Sequence, residues 1–210
     1  MSDVLLDEQA VPTTPAAGTG IMYVDNGPSL PAFKNDGGLA GVMSGLTKNA
    51  SVADQAISAA DTYITDSDLL IPSFGVQART VFRWLISVSK TAAGTATPIY
   101  TVRIGSARTV ADTARLTLTG PAQTAATDTA VIEVILVVRN VGASGVIQGT
   151  VYLHHLNTAT GFANNVSAVV QAASAAFDNS ALAGLYVGLS INNGASGAWT
   201  VTQVQAEAIW

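Results

Sequence analysis

The chain has 210 residues, of which 49% are hydrophobic and only 11% charged, against roughly 25% charged in an ordinary soluble domain. A net charge of −5, with nine Lys and Arg scattered from Lys34 to Arg139, excludes the basic patch that nucleic-acid binding needs. The absence of cysteine excludes disulfides, thiolate nucleophiles and cysteine metal sites together. No run reaches the roughly 18 apolar residues of a membrane-crossing helix. The most apolar run, Ala130 to Val138, carries Glu133 near its centre. The expectation is neither a nucleic-acid nor a membrane partner. A surface so poor in charge suits a protein whose exposed area is partly buried by subunit contacts.

The first residues, Met1 to Glu8, are acidic where a secretory leader is basic. Residues 1–60 read as an extended amino-terminal arm with short hairpins. Val11 to Gly20 is rich in Pro, Gly and Thr, and each proline restricts its own φ and the residue before it. A short strand, Ile21 to Val24, meets a turn at Asp25-Asn26-Gly27-Pro28. A second, Leu30 to Lys34, ends at Asn35-Asp36-Gly37-Gly38. These segments cannot bury a core alone and are expected to be ordered by docking.

Residues 61–210 read as an antiparallel, jelly-roll-like β-sandwich. Thr80 to Val88 alternates, with Phe82, Trp84, Ile86 and Val88 on one face and Arg83 and Ser87 on the other. Ile99 to Ile104 and Ala114 to Leu118 are shorter runs. Thr129 to Arg139 is apolar on both faces, as a covered central strand is. Gly145 to Leu156, Leu185 to Ile191 and Ala198 to Trp210 follow. The last run places Trp199, Val201, Gln203 and Gln205 on one face. Turns rich in Gly, Asn, Ser and Thr separate the runs, and seven or eight strands at this spacing suggest a sandwich or jelly roll. Residues 166–176 stay open: the Ala-rich stretch favours a helical turn, while Val166, Val169 and Val170 favour a strand.

Two segments resemble the virion proteins of tailed bacteriophages. Pro15-Ala16-Ala17-Gly18, followed by Tyr23, then Leu30 to Lys34 and Asp36-Gly37, is similar to the attachment segments of tail and head fibres. It departs from them in Pro28, Pro31 and Phe33, where a plain polar hairpin is usual. Ser89 to Pro98, Val102 to Gly105 and Ala111 to Ala114 resemble the small jelly-roll domains of phage surface proteins. The resemblance implies a virion location and a structural decoration or fibre protein. It also implies a homotrimer that contacts other capsid or tail proteins, attached through Pro15, Gly18, Tyr23, Phe33 and Gly37.

The residues themselves point away from catalysis, and no cofactor is expected. His154 and His155 are the only histidines, and on a strand from Val151 to Leu156 adjacent side chains face opposite ways. The segments Gly142 to Gly145 and Gly194 to Gly197 lack the Gly-x-Ser-x-Gly spacing of a nucleophile elbow and read as turns. Most of the acids adjoin turns, where Asp caps and bends the backbone. Asp61 with Asp66-Ser67-Asp68 gathers hard oxygens, but without the EF-hand spacing, so no metal is assigned. Glu133 needs a partner, from Arg83, Arg103, Arg139 or another subunit. Tyr152, Tyr186 and Trp199 are the candidate ligand-facing aromatics for a host surface glycan, with core packing as the competing explanation. A receptor- or glycan-binding module of a virion tail is therefore the alternative to a decoration or fibre protein. A tail-associated hydrolase ranks below both.

Overall fold

The computed structural model describes residues 8–9, 13–17, 20–25, 30–35, 40–42, 46–91, 94–155, 161–163, 168–194 and 198–210. Every regular element among them is a strand, and two antiparallel sheets pack face to face as a sandwich.

Period-two alternation builds the core. In β9 (Val81–Lys90) Phe82, Trp84, Ile86 and Val88 are buried and the residues between them half-buried. In β12 (Asp128–Asn140) Ile132, Val134, Leu136 and Val138 lie on the same inner face. The larger sheet runs β14 (Ala168–Ala173), β13 (Val146–His155), β12, β9, β16 (Trp199–Ile209), β5 (Leu46–Ser51), with β6 (Gln55–Ile57) also on β16. The smaller sheet runs β11 (Thr113–Thr119), β10 (Ile99–Gly105), β15 (Tyr186–Asn192), β7 (Thr62–Tyr63), with β8 (Leu69–Leu70) on β15. Tyr100, Val102, Leu116, Leu118, Val187, Leu189 and Ile191 line its inner face.

Strand pairing has the outer logic of a roll: β9 pairs with β16, and β10 with β15. Within that frame β12, β13 and β14 form a meander in one sheet. The open stretch at 166–176 resolves as strand at β14, where pairing with β13 overrides the helix propensity of its alanines. Leu46 to Ser51 and Gln55 to Ile57, which precede residue 60, hydrogen-bond to β16, so the pairing of the large sheet begins at Leu46.

The face expected for the last strand needs correction. Trp199 and Val201 point inward, but the register with β9 shifts between Val201 and Gln203. That irregularity absorbs one residue, so Val204, Ala206 and Ala208 continue the inner face and Gln203 and Gln205 turn outward.

In the amino-terminal segment, β1 (Glu8–Gln9), β2 (Gly20–Asp25), β3 (Leu30–Asn35) and β4 (Ala40–Val42) form a four-stranded sheet. The pairings β2–β3 and β3–β4 are antiparallel, as two hairpins require, and β1 joins β2 in parallel. Tyr23 is buried and Pro15 half-buried. Phe33 sits in register between Met22 and Gly41. Gly18 and Gly37 lie outside the described residues.

Candidate functional site

The outer face of the large sheet brings together charged side chains from four strands and a histidine from a fifth. Lys48 on β5 pairs in register with Glu207 on β16, and Glu207 pairs with Arg83 on β9. Arg83 Nε donates to Glu133 Oε1 on β12 at 2.7 Å, and Arg83 Nη1 lies 3.5 Å from Glu207 Oε1. On β13, His154 Nε2 lies 3.6 Å from Glu133 Oε2. Lys48, Glu207, Arg83 and Glu133 therefore alternate in sign across four strands, and the arginine serves two carboxylates. Hydrogen bonding to Glu133 holds the Arg83 guanidinium above its ordinary pKa. Of the three arginines that the sequence offers Glu133, Arg83 is the one that meets it.

Between these charges the face is aliphatic. Val81, Leu85, Val131, Ile135 and Val137 are outward-facing and half-buried, because each packs beside its cross-strand neighbours. Near one end an open groove of about 560 Å³ is lined by Lys48, Asn49, Arg83, Leu85, Gln205 and Glu207, among others. It offers both signs of charge, a side-chain amide and an apolar wall.

The two histidines diverge as alternation requires. The His154 side chain is 62% exposed, and that of His155 is 3% exposed and faces Asp128 inside the sandwich. Around Asp128 lies a buried polar network that closes this end of the fold. Lys90 Nζ donates to the carbonyls of Gly94, Thr124 and Gly161. Gln123 Nε2 donates to the Ala96 and Asn193 carbonyls, and Asn193 Nδ2 to the Ile57 carbonyl. These side-chain N–H groups donate to backbone carbonyls, so the network ties loops together.

The candidate metal residues are held by arginines. Asp61 pairs with Arg103, and Asp68 Oδ2 lies 3.4 Å from Arg108 Nη1. Asp66 sits in a turn with φ of 60°. Among the described residues no three His, Asp or Glu side chains gather as a metal-binding group.

The three candidate aromatics do not meet. Trp199 is 1% exposed: its ring packs on Phe162 and its Nε1 donates to Gln123 Oε1 at 2.9 Å. It is a core residue, and an exposed ligand-facing surface for it is ruled out by that burial. Tyr152 is half-buried on the outer face of β13 and stacks on His154 with ring centroids 6.3 Å apart. Tyr186 starts β15 on the other sheet, with the Arg108 guanidinium 5.0 Å above its ring. The alternating ladder was missed in the sequence, although Arg83, Glu133 and Glu207 were each visible there. What joins them is strand register between segments far apart in the chain.

No family model matches the chain, and no curated protein matches it. One solved structure to which it is similar is the CBM2 module of the evolved Dit of Lactobacillus casei BL23 phage J-1. The likeness covers 80% of this chain and 91% of that one, at 9% identity and a TM-score of 0.30. A likeness that distant assigns no role to this chain.

Proposed function

We propose that this chain is a non-catalytic structural protein of a phage virion surface, working by contact with further copies of itself. Its amino-terminal segment would attach to other virion proteins, as the sequence resemblance implies. The observation that carries the self-association is the outer face of the large sheet. Its aliphatic side chains are half-buried, and Arg83 is paired with Glu133 and Glu207 within the face, so a second copy meets less unpaired charge to desolvate there. Low total charge adds to this, since a free monomer relies on mixed surface charge for solubility.

The test is the solution mass by light scattering behind a sizing column. From a chain of 21.4 kDa, a twofold pair gives about 43 kDa and the threefold assembly implied by the resemblance gives about 64 kDa. Either supports self-association, and loss of the assembly in Ile135→Lys places the contact on this face. A monomer at the highest soluble concentration overturns the proposal.

The groove beside Gln205 favours a second reading, a receptor-binding module that takes a neutral glycan. Amide, carboxylate and guanidinium groups around an apolar wall are the donors and acceptors that a sugar needs. Saturable binding of a cell-surface oligosaccharide that is lost in Gln205→Ala and Glu207→Ala, at unchanged solution mass, selects it.

A further inference from the structure

We infer that the free edge of β14 is a second contact between copies, where β14 of one molecule pairs antiparallel with β14 of another. This goes beyond the proposal above, because edge and outer face are separate surfaces.

Backbone geometry shows which groups are free. Ser174 N–H donates to the Ile147 carbonyl at 2.9 Å, continuing the β13–β14 register. Antiparallel pairing alternates, so residues 172, 170 and 168 also turn their backbone groups towards β13. Those of Val169, Gln171 and Ala173 turn away, and among the described residues β13 is the one strand that pairs with β14. Their side chains are exposed, Val169 at 50%, while Val170 and Ala172 pack against the core.

Natural sheets guard such edges with charge, proline, a bulge or brevity. In the two sandwich sheets, β5 carries Lys48, β11 carries Arg115 and a register shift against β10, and β7 and β8 have two residues each. β14 reads Ala-Val-Val-Gln-Ala-Ala over six residues and has none of these guards.

The edge is also self-complementary. A twofold axis at Gln171 pairs Gln171 with its counterpart, so the two side-chain amides can hydrogen-bond. It sets Val169 of each copy against Ala173 of the other, a larger side chain beside a smaller one. The three free residues of each edge then satisfy one another, and the large sheets of both copies become one. No charge is buried by this union.

The test is amide hydrogen exchange at residues 169, 171 and 173, read with solution mass on the full chain. Exchange at these three positions should slow roughly tenfold or more as the protein assembles, while exposed loop amides stay fast. Gln171→Pro removes a free N–H without breaking a bond to β13, and Val169→Lys places a charge on the edge. Each should lower the mass and abolish that protection. Fast exchange at the three positions in an assembled protein overturns the edge contact and leaves the outer-face contact standing. Unchanged mass in both variants does the same, and a monomeric wild type overturns both.

Discussion

His155 Nδ1 lies 3.3 Å from Asp128 Oδ2 within the sandwich, with both side chains almost fully buried, while its chain neighbour His154 turns outward towards Glu133. Asp128 also accepts the N–H of Thr129 at 2.8 Å and of Phe162 at 3.2 Å. Replacing His155 or Asp128 with Ala leaves buried polar groups unmatched and should cost about 3 kcal/mol. His154→Ala removes an exposed contact and should change stability by less than about 0.5 kcal/mol. Urea denaturation of the three variants checks the contrast, and equal losses at the two histidines would refute it.

Lys90 is buried at the inner end of β9 and holds three loop carbonyls, from Gly94, Thr124 and Gly161. Lys90→Met keeps most of the volume but strands those acceptors, and a loss of about 2–4 kcal/mol is expected. Protease nicking should then rise first in the loops around residues 94 and 124, which mass spectrometry of the fragments would locate.

Tyr100 is 1% exposed, and its hydroxyl finds no hydrogen-bond partner among the described residues. Burial pushes its pKa well above the ordinary 10.0, and burial together with the Asp68 and Asp112 carboxylates does the same for Tyr63. A raised folded pKa means that above pH 10 the unfolded chain has released protons that the folded chain still holds. The stabilisation is therefore complete below pH 10.0 and is lost as pH rises beyond it. Phenolate absorbance should show Tyr63 and Tyr100 ionising later than a free phenol. Tyr100→Phe removes one of these late ionisations and, by deleting an unsatisfied hydroxyl, should leave stability equal or raised by up to about 1 kcal/mol.

Much of the fold was legible because its signals are local. Alternation in 80–88 located β9, the run of 129–139 apolar on both faces located β12, and the run 145–156 located β13, whose strand geometry also set His154 and His155 on opposite faces. What failed depended on contacts far apart in sequence. The irregularity near Thr202 flips the outer half of β16, and nothing in Trp199 to Gln205 marks it. Of the two explanations for Trp199, a ligand-facing ring and core packing, the second holds, and the residues that cover it, Phe162 and Gln123, come from two distant loops. The strands at 46–57 were hidden by their polar residues, Lys48, Asn49 and Gln55, which suit an edge and its neighbour better than a core. The charged ladder rests wholly on register, which strand patterning alone does not supply.

Gly145 closes the turn Gly142-Ala143-Ser144-Gly145 for a reason of space. A β-carbon there would lie 2.1 Å from the side-chain amide carbon of Asn179. That amide ties the turn, accepting the Gly142 N–H at 2.8 Å and donating to the Asn140 carbonyl at 2.9 Å. The backbone of Gly145 bonds the Gly142 carbonyl at 3.1 Å, so neither side can easily withdraw. Gly145→Ala should therefore expel Asn179 and destabilise the fold by about 1–3 kcal/mol. Asn179→Ala alone should also destabilise, since two backbone groups lose their partner. Combining the two should cost less than the sum of the single losses, because the clash and the hydrogen bonds reside in the same side chain. A double-mutant cycle by chemical denaturation measures the coupling, and strict additivity would show that the turn does not depend on this contact.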